Sequence, residues 1–213
     1  MSDTLTLHQS YQKLFEEYGD PIMYWPQWCA ETKSVEEREK IIVGMILVQR
    51  TSWHSANIAL KNLKKANLLS TGKIAELKTL ESLSQLIRPA GFYQSKPKRL
   101  FDICTFIIAQ GGMEELAKKE IEEVRRHLLS IKGIGQETAD TILLYALDKP
   151  IFVIDEYTRR WLEKNGLTEE KDYMKLQQFF HDSLKPDLNI YRNFHALIIV
   201  CQRGKEKSVM ERV

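Results

Sequence analysis

Apolar residues recur every three or four positions along most of this chain, the spacing that gives an α-helix one buried face. In the segment 35–51, Val35, Ile41, Met45 and Val48 follow that spacing, and glutamates crowd the first turns, where the helix dipole favours acids. The same periodicity predicts helices at 52–66, 80–87, 100–107, 121–131, 138–147, 156–165, 172–184 and 188–201. Only residues 150–154 are predicted to be extended, and they are too few to found a sheet. The pattern therefore predicts an all-α protein of about ten helices.

The composition is that of a globular protein and argues against a polycation, a membrane protein and a secreted protein. Of the 213 residues, 43% are hydrophobic and 28% are charged, which is typical of a globular protein. The formal net charge is only +2, so any contact with nucleic acid must come from local basic patches. No apolar run reaches the length of about 18 residues that marks a membrane span, and residues 1–4 lack the pattern of a secretory signal.

The cysteines and histidines predict no metal site. Cys29, Cys104 and Cys201 are far apart and form no Cys-X-X-Cys pair, which rules out a disulfide framework or a cysteine-rich zinc site. The five histidines show no metal-ligand spacing, and we assign them no chemistry. We therefore expect a protein of the reducing cytoplasm that binds no metal through its side chains.

A glycine turn between two predicted helices is the most informative local feature. A helix runs into Gly133-Ile134-Gly135, and a second helix begins at once. Glycines allow a tight turn, and they leave the first amides of the next helix pointing outward, where they can bind a phosphate. Ile134 would pack between the two helices and fix their angle. Taken alone, a plain helical hairpin explains this pattern about as well as DNA binding does.

An aspartate follows this turn at a position suited to catalysis. Asp155 lies twenty residues after Gly135, directly after the apolar run 150–154 and before a predicted helix. An aspartate here is first of all an N-cap, whose bonds to backbone amides keep the carboxylate ionised. Structural capping and a catalytic role are therefore compatible.

Together these features resemble the helix-hairpin-helix DNA glycosylase superfamily, which includes endonuclease III. The resemblance is carried by the hairpin 129–139, the segment 153–155 and two further segments in the family's order, 44–51 and 87–100. It implies two helical lobes with a DNA-binding cleft between them. The first lobe would comprise 1–34 and 150–213 and carry the aspartate, and the second would comprise 35–149, with the motif at about 119–147.

The resemblance implies that a monomer bends damaged double-stranded DNA, flips one nucleotide out and cleaves its N-glycosidic bond. Asp155 would stabilise the developing oxocarbenium sugar and assist the attacking water. Gln49 would insert into the duplex, and a monovalent cation would join the phosphate at hairpin carbonyls near Lys132 and Ile134. The residues that we expect to contact DNA are Gln49, Lys96, Lys98, Arg99, Lys132, Gly133, Ile134, Gly135, Thr138 and Arg159.

Two departures from the family pattern predict the subtype. Bifunctional relatives carry a lysine nucleophile two residues after the second glycine, where this chain has Glu137, and a carboxylate cannot form an imine. Lys132 precedes the turn and should point elsewhere. Glu137 would either contact the flipped base or serve as an acid in the first helical turn. Many relatives also hold an iron–sulfur cluster on four C-terminal cysteines, whereas this chain offers only Cys201, so we expect no cofactor.

An aromatic group near the N-terminus bears on which base is removed. Tyr24, Trp25 and Trp28 are as compatible with a core or a lid as with a wall that stacks on a flipped base, and Trp53, Phe92 and Tyr93 are weaker candidates. Electron-rich rings attract the cationic alkylated purines, whose glycosidic bond is already weak. The chain is most similar to the cluster-free methyladenine DNA glycosylases, and we predict a monofunctional enzyme of that type acting at the nucleoid. The alternatives are a bifunctional glycosylase and lyase on oxidised pyrimidines, and a non-catalytic DNA-binding protein.

Overall fold

The computed structural model describes residues 6–208, and across these residues it contains thirteen α-helices and no β-strand. The all-α prediction is confirmed. The helices are α1 Leu7–Tyr18, α2 Val35–Val48, α3 Trp53–Lys65, α4 Thr71–Ala75, α5 Glu81–Leu86, α6 Lys96–Ala109, α7 Met113–Lys118, α8 Ile121–Ser130, α9 Gln136–Thr141, α10 Glu156–Lys164, α11 Tyr173–Ser183, α12 Leu188–Arg203 and α13 Lys205–Ser208. Short 3-10 turns occupy Pro21–Met23 and Arg88–Ala90, and a π-turn at Ile142–Ala146 extends α9.

Four of these helices are absent from the predicted set: α1, α4, α7 and α13. Helices α4, α7 and α13 are only four to six residues long, too short for a hydrophobic period to emerge. Helix α1 buries few apolar side chains, among them Leu7 and Leu14, and its start is defined instead by a capping box in which Thr6 and Gln9 exchange hydrogen bonds.

The chain divides into two compact units. Residues 6–32 and 148–208 form unit 1, and residues 33–147 form unit 2. Helix α12 is the centre of unit 1 and packs against α1, α10 and α13. Helix α2 is the centre of unit 2, because its residues 39–47 are all buried and it packs against α3, α6, α7 and α9. No helix within 6–208 is long and apolar enough to cross a bilayer.

Residues 150–154 form neither a helix nor a strand, and the extended conformation expected for them stays a prediction. Two side chains of α11 form hydrogen bonds with the backbone of this segment. Gln177 donates to the carbonyl of Phe152 at 2.6 Å, and the amide of Phe152 donates to Nε2 of His181 at 3.1 Å. The Phe152 ring also stacks on Phe180 with ring centres 3.8 Å apart. These bonds satisfy a buried, non-helical backbone and fix the segment that leads into Asp155.

Candidate functional site

The two glycines of the hairpin in unit 2 have different structural roles. Gly133 has a φ of +91°, and a Cβ built there would overlap the guanidinium of Arg99. Gly135 has a φ of −96°, and a Cβ there would have no heavy atom within 4 Å. Gly133 is therefore required by the turn itself, whereas Gly135 leaves open space before the first amides of α9. Ile134 is buried, and its expected position between the two helices stays a prediction.

Three of the residues predicted to contact DNA form one hydrogen-bonded group with the turn. Nε2 of Gln49 donates to the carbonyl oxygen of Gly133 and to Oγ1 of Thr138, both at 3.1 Å. Nη1 of Arg99 donates to Oε1 of Gln49 at 2.9 Å. Gln49 thus joins the end of α2 to the hairpin, and its insertion into a duplex would require these bonds to break.

The remaining basic candidates occupy unlike environments. Lys132 is exposed beside the turn, and Lys98 is exposed on the first turn of α6, where it forms an ion pair with Asp102. Arg159, in unit 1, is half-buried and donates to the carbonyl oxygen of Lys171 at 2.6 Å. Lys132 and Lys98 therefore present their charge to solvent, whereas Arg159 supports a loop of its own unit.

Lys96 departs from the predicted contact with a phosphate. Its side chain is fully buried, and Nζ donates to the carbonyl oxygens of Leu47 at 2.7 Å and Ala90 at 2.8 Å. Burial, reinforced by the charge of Arg99, lowers the pKa of Lys96 to about 8. An ammonium enclosed in this way cannot reach a phosphate from its present position. Lys96 instead ties the end of α2 to the Arg88–Ala90 turn, which holds Gln49 in place.

Lys96→Met is expected to destabilise the protein by about 1–3 kcal/mol, because the carbonyls of Leu47 and Ala90 lose their donor. The loss depends on pH. Between about pH 8 and the ordinary lysine value of 10.5, folded Lys96 is neutral while the unfolded chain still binds a proton, so the wild type gains stability as pH rises. Denaturant unfolding across that window should therefore show a growing difference between the two proteins. A difference that stays constant across that window would contradict the environment assigned to Lys96.

Asp155 in unit 1 caps α10, as the sequence predicts. Its Oδ1 accepts from the amide of Thr158 at 2.7 Å, and its Oδ2 lies 3.6 Å from Nε2 of His195. Burial raises the pKa of Asp155, but the adjacent imidazole of His195 and the bonds from Thr158 outweigh it, so the pKa lies below the ordinary value of 3.8. The result is an ionised carboxylate with 12% of its side chain exposed.

The contact between His195 and Asp155 has no signal in the sequence. The two residues are forty positions apart, and only the packing of α12 against α10 brings them together. His195 is almost fully buried on α12, with the Phe152 ring edge-on at 6.2 Å between centres. Its imidazole is therefore fixed beside the carboxylate, where it can orient Asp155 and lower the pKa of that carboxyl group.

The aromatic group 24–28 is buried in unit 1. Tyr24, Trp25 and Trp28 are all at most 7% exposed. Nε1 of Trp25 donates to the carbonyl oxygen of Ser208 at 3.0 Å, and the Tyr24 hydroxyl donates to that of Tyr18 at 2.8 Å. These contacts agree with the core interpretation of the sequence, and a stacking role for the rings stays a prediction.

Phe92 and Tyr93 are exposed rings of unit 2, at 52% and 42%. Phe92 also has a φ of +49°, a strained conformation for an aromatic residue. Glu137 is exposed in the first turn of α9, where the helix dipole stabilises a negative charge. Its contact with a flipped base stays a prediction.

Cys29 and Cys104 are buried free thiols, and burial raises the pKa of Cys104. Cys201 is a half-buried free thiol on α12. Among residues 6–208, no three His, Cys, Asp or Glu side chains are grouped so that they could hold a metal ion.

Comparison with known proteins agrees with this arrangement. The model of the HhH-GPD superfamily of base excision DNA repair proteins matches residues 43–186. A candidate DNA repair glycosylase of Methanocaldococcus jannaschii is 43% identical over 197 residues, which cover 91% of this chain and 85% of that protein. Endonuclease III of Sulfolobus acidocaldarius is 27% identical over 204 residues, covering 94% and 88%. The crystal structure of H. pylori 3-methyladenine DNA glycosylase bound to 1,N6-ethenoadenine superposes with a TM-score of 0.77 at 28% identity, covering 98% of this chain and all of that one.

Proposed function

The chain belongs to the HhH-GPD superfamily and is a DNA glycosylase of base excision repair, and on that premise we propose that it is monofunctional and excises alkylated purines. The observation that carries the proposal is the ionised, buried carboxylate of Asp155. The hairpin of unit 2 has Glu137 where bifunctional relatives have lysine. This chemistry suits hydrolysis by water and lacks an amine for imine formation.

Asp155 would act mainly through its charge. Cleavage of an N-glycosidic bond leaves positive charge on the sugar, and a carboxylate held ionised by fixed donors stabilises that charge without reorganising. The same carboxylate can accept a hydrogen bond from the attacking water and so assist the attack. His195 is a positioning residue in this scheme, because its imidazole touches Asp155 rather than the substrate.

Alkylated purines are the substrates whose departure requires the least activation of the leaving group by the site. Their ring carries a positive charge, so the leaving group departs as a neutral base and needs no strong acid. The H. pylori relative is named a 3-methyladenine DNA glycosylase, and its crystal contains 1,N6-ethenoadenine. We therefore assign base recognition to Tyr24, Trp25 and Trp28, whose rings attract cationic bases, with Glu137 as a further contact.

Unit 2 would supply the grip on the DNA. The amides before α9 receive a backbone phosphate in the open space at Gly135, with Lys132 and Lys98 nearby as solvent-exposed charges. The exposed rings of Phe92 and Tyr93 can stack on bases. A monovalent cation at the carbonyls near Lys132 and Ile134 would add positive charge at the phosphate.

The remaining assignments follow from the proposed activity. Double-stranded DNA containing a damaged base is the partner, the protein works as a monomer, and its place is the cytoplasm at the nucleoid. No cofactor takes part in the hydrolysis. The lobes proposed for these tasks are 1–34 with 150–213, which carries Asp155, and 35–149, which carries the hairpin.

Purified protein is expected to release free methyladenine from alkylated duplex DNA and to leave the strand intact at the abasic site. Borohydride should trap no covalent complex, because position 137 has no amine to form an imine. A bifunctional endonuclease III, assayed in parallel, provides the positive control for nicking and trapping. Strand cleavage or trapping by this protein would establish the lyase alternative, and release of oxidised pyrimidines instead of alkylated purines would overturn the substrate assignment.

A further inference from the structure

A basic groove in unit 1 lies outside the hairpin and outside the residues assigned to base recognition. Tyr157, Arg160, Gln202, Arg203 and Lys207 line an open space of about 580 Å³. Three cationic side chains thus converge from three helices, and no acid is among the described residues that form its wall. The volume falls in the range of sites that hold a small organic ligand, so one nucleotide unit fits it.

Helix α13 is anchored so that Lys207 is directed to this groove. Gly204, with a φ of +83°, turns the chain after α12. The carbonyl oxygen of Ser208 then accepts from Trp25 at 3.0 Å, while Nζ of Lys205 donates to the carbonyl oxygen of Glu17 at 3.0 Å. Positions 205 and 207 are separated by about 200° around a helix axis. Lys205 therefore fastens α13 on one side, and Lys207 lines the groove on the other.

Arg160 is held in place but keeps most of its charge available. Its guanidinium lies 5.0 Å from the centre of the Tyr157 ring. Its ion pair with Glu156 is long, at 3.7 Å, and both side chains are more than half exposed, so the pair contributes little. Glu156, Glu163 and Glu206 are the acids of α10, α12 and α13, and none of them lines the groove. The clustered cations repel one another, and an anion between them would relieve that repulsion.

The groove shares helix α10 with Asp155. Arg160 is five residues after Asp155, which corresponds to about 8 Å along the helix axis at 1.5 Å per residue. The two side chains are also about 140° apart around the axis, so an anion held by Arg160 lies on another face of α10 from a sugar at Asp155. Because a helix with its side chains is about 10 Å across, that anion would still be a phosphate within a few nucleotides of the sugar.

We infer that the groove formed by Arg160, Arg203 and Lys207 binds a backbone phosphate of DNA close to the damaged nucleotide. This second phosphate site rests on DNA being the substrate. Arginine presents donors in a fork that matches phosphate oxygens, and the anchored Lys207 adds a point charge. Unit 1 thereby gains its own grip on the strand on which Asp155 acts.

The inference is tested by the double variant Arg203→Ala/Lys207→Ala. The slope of log Kd against log salt for a lesion duplex should decrease by about 0.9 for each phosphate that the variant no longer neutralises, with binding at low salt at least tenfold weaker. The matched control Lys78→Ala/Lys185→Ala removes the same charge from exposed positions and should bind almost as the wild type does. The charge-conserving Arg203→Lys/Lys207→Arg should restore most of the affinity.

A scan of duplexes with single methylphosphonate linkages identifies the phosphate. Neutralising one linkage within three nucleotides of the lesion should weaken binding of the wild type and have almost no further effect on the double variant, as expected for partners in a thermodynamic cycle. Additive effects at every linkage would overturn the inference. So would a double variant that loses binding of inorganic phosphate while its salt slope for DNA is unchanged, because the groove would then serve a free anion.

Failure of this site is distinguishable from failure of the proposed function. Base release by the wild type is measured in single turnover at saturating enzyme, where DNA binding does not limit the rate. If the wild type releases no base but the phosphate cycle holds, the proposed function alone is wrong. If base is released and the double variant binds like its control, the groove assignment alone is wrong.

Discussion

Asp155→Asn is expected to slow the release of alkylated base by about 10²- to 10⁴-fold while binding to the lesion duplex is retained or strengthened. The amide oxygen can still accept from Thr158, so the cap of α10 survives. What is lost is the negative charge that stabilises the sugar cation. Removing that charge also removes repulsion from DNA phosphates, which is why affinity should not fall. Single-turnover release of base and equilibrium binding to the same duplex measure the two effects.

Asp172→Asn is the matched control for this substitution. Asp172 caps α11 in the same way, with its carboxylate accepting from the amide of Lys175 at 3.0 Å, but it is exposed. The control should release base at the wild-type rate. Base release by Asp155→Asn at a normal rate would show that another group performs the catalysis.

The sequence predicted the parts of the site that depend on local chemistry. A glycine turn with positive φ at Gly133 and an N-cap at Asp155 are set by residues within a few positions of one another, and both appear as expected. The break between helices at 150–154 could also be predicted, because its apolar run is bounded by a proline and by the cap.

Contacts between distant segments could not be predicted in this way. His195 touches Asp155 only because α12 packs on α10, and Gln49 bonds the hairpin only because α2 ends beside it. Lys96 was expected to contact DNA, and its full burial is rare for a lysine. Its partners are the backbone carbonyls of Leu47 and Ala90, and no pattern of charged residues in a sequence indicates a bond to a backbone carbonyl. These contacts depend on how distant helices pack against one another, and the residue types of a single sequence do not specify that packing.

The hairpin provides a second large effect: substitutions of its two glycines should both weaken DNA binding, but only the one at Gly133 should lower stability. Gly133→Ala is expected to lower the free energy of unfolding by about 1–3 kcal/mol, because alanine is strained at a φ of +91°. Its methyl group would also displace Arg99 and disrupt the bond from Arg99 to Gln49. Thermal or denaturant unfolding should show the loss, and DNA binding should weaken with it.

Gly135→Ala separates phosphate binding from folding. Its φ of −96° suits alanine, and the new methyl group would meet no heavy atom within 4 Å, so stability should stay within about 0.5 kcal/mol of the wild type. The methyl group would nevertheless occupy the space through which a phosphate approaches the amides of α9, and affinity for duplex DNA should fall at least tenfold. A Gly135→Ala protein that is stable and binds DNA normally would show that no phosphate enters this turn. In that case Gly133 and Gly135 form a structural hairpin, and the grip on DNA must come from other surfaces.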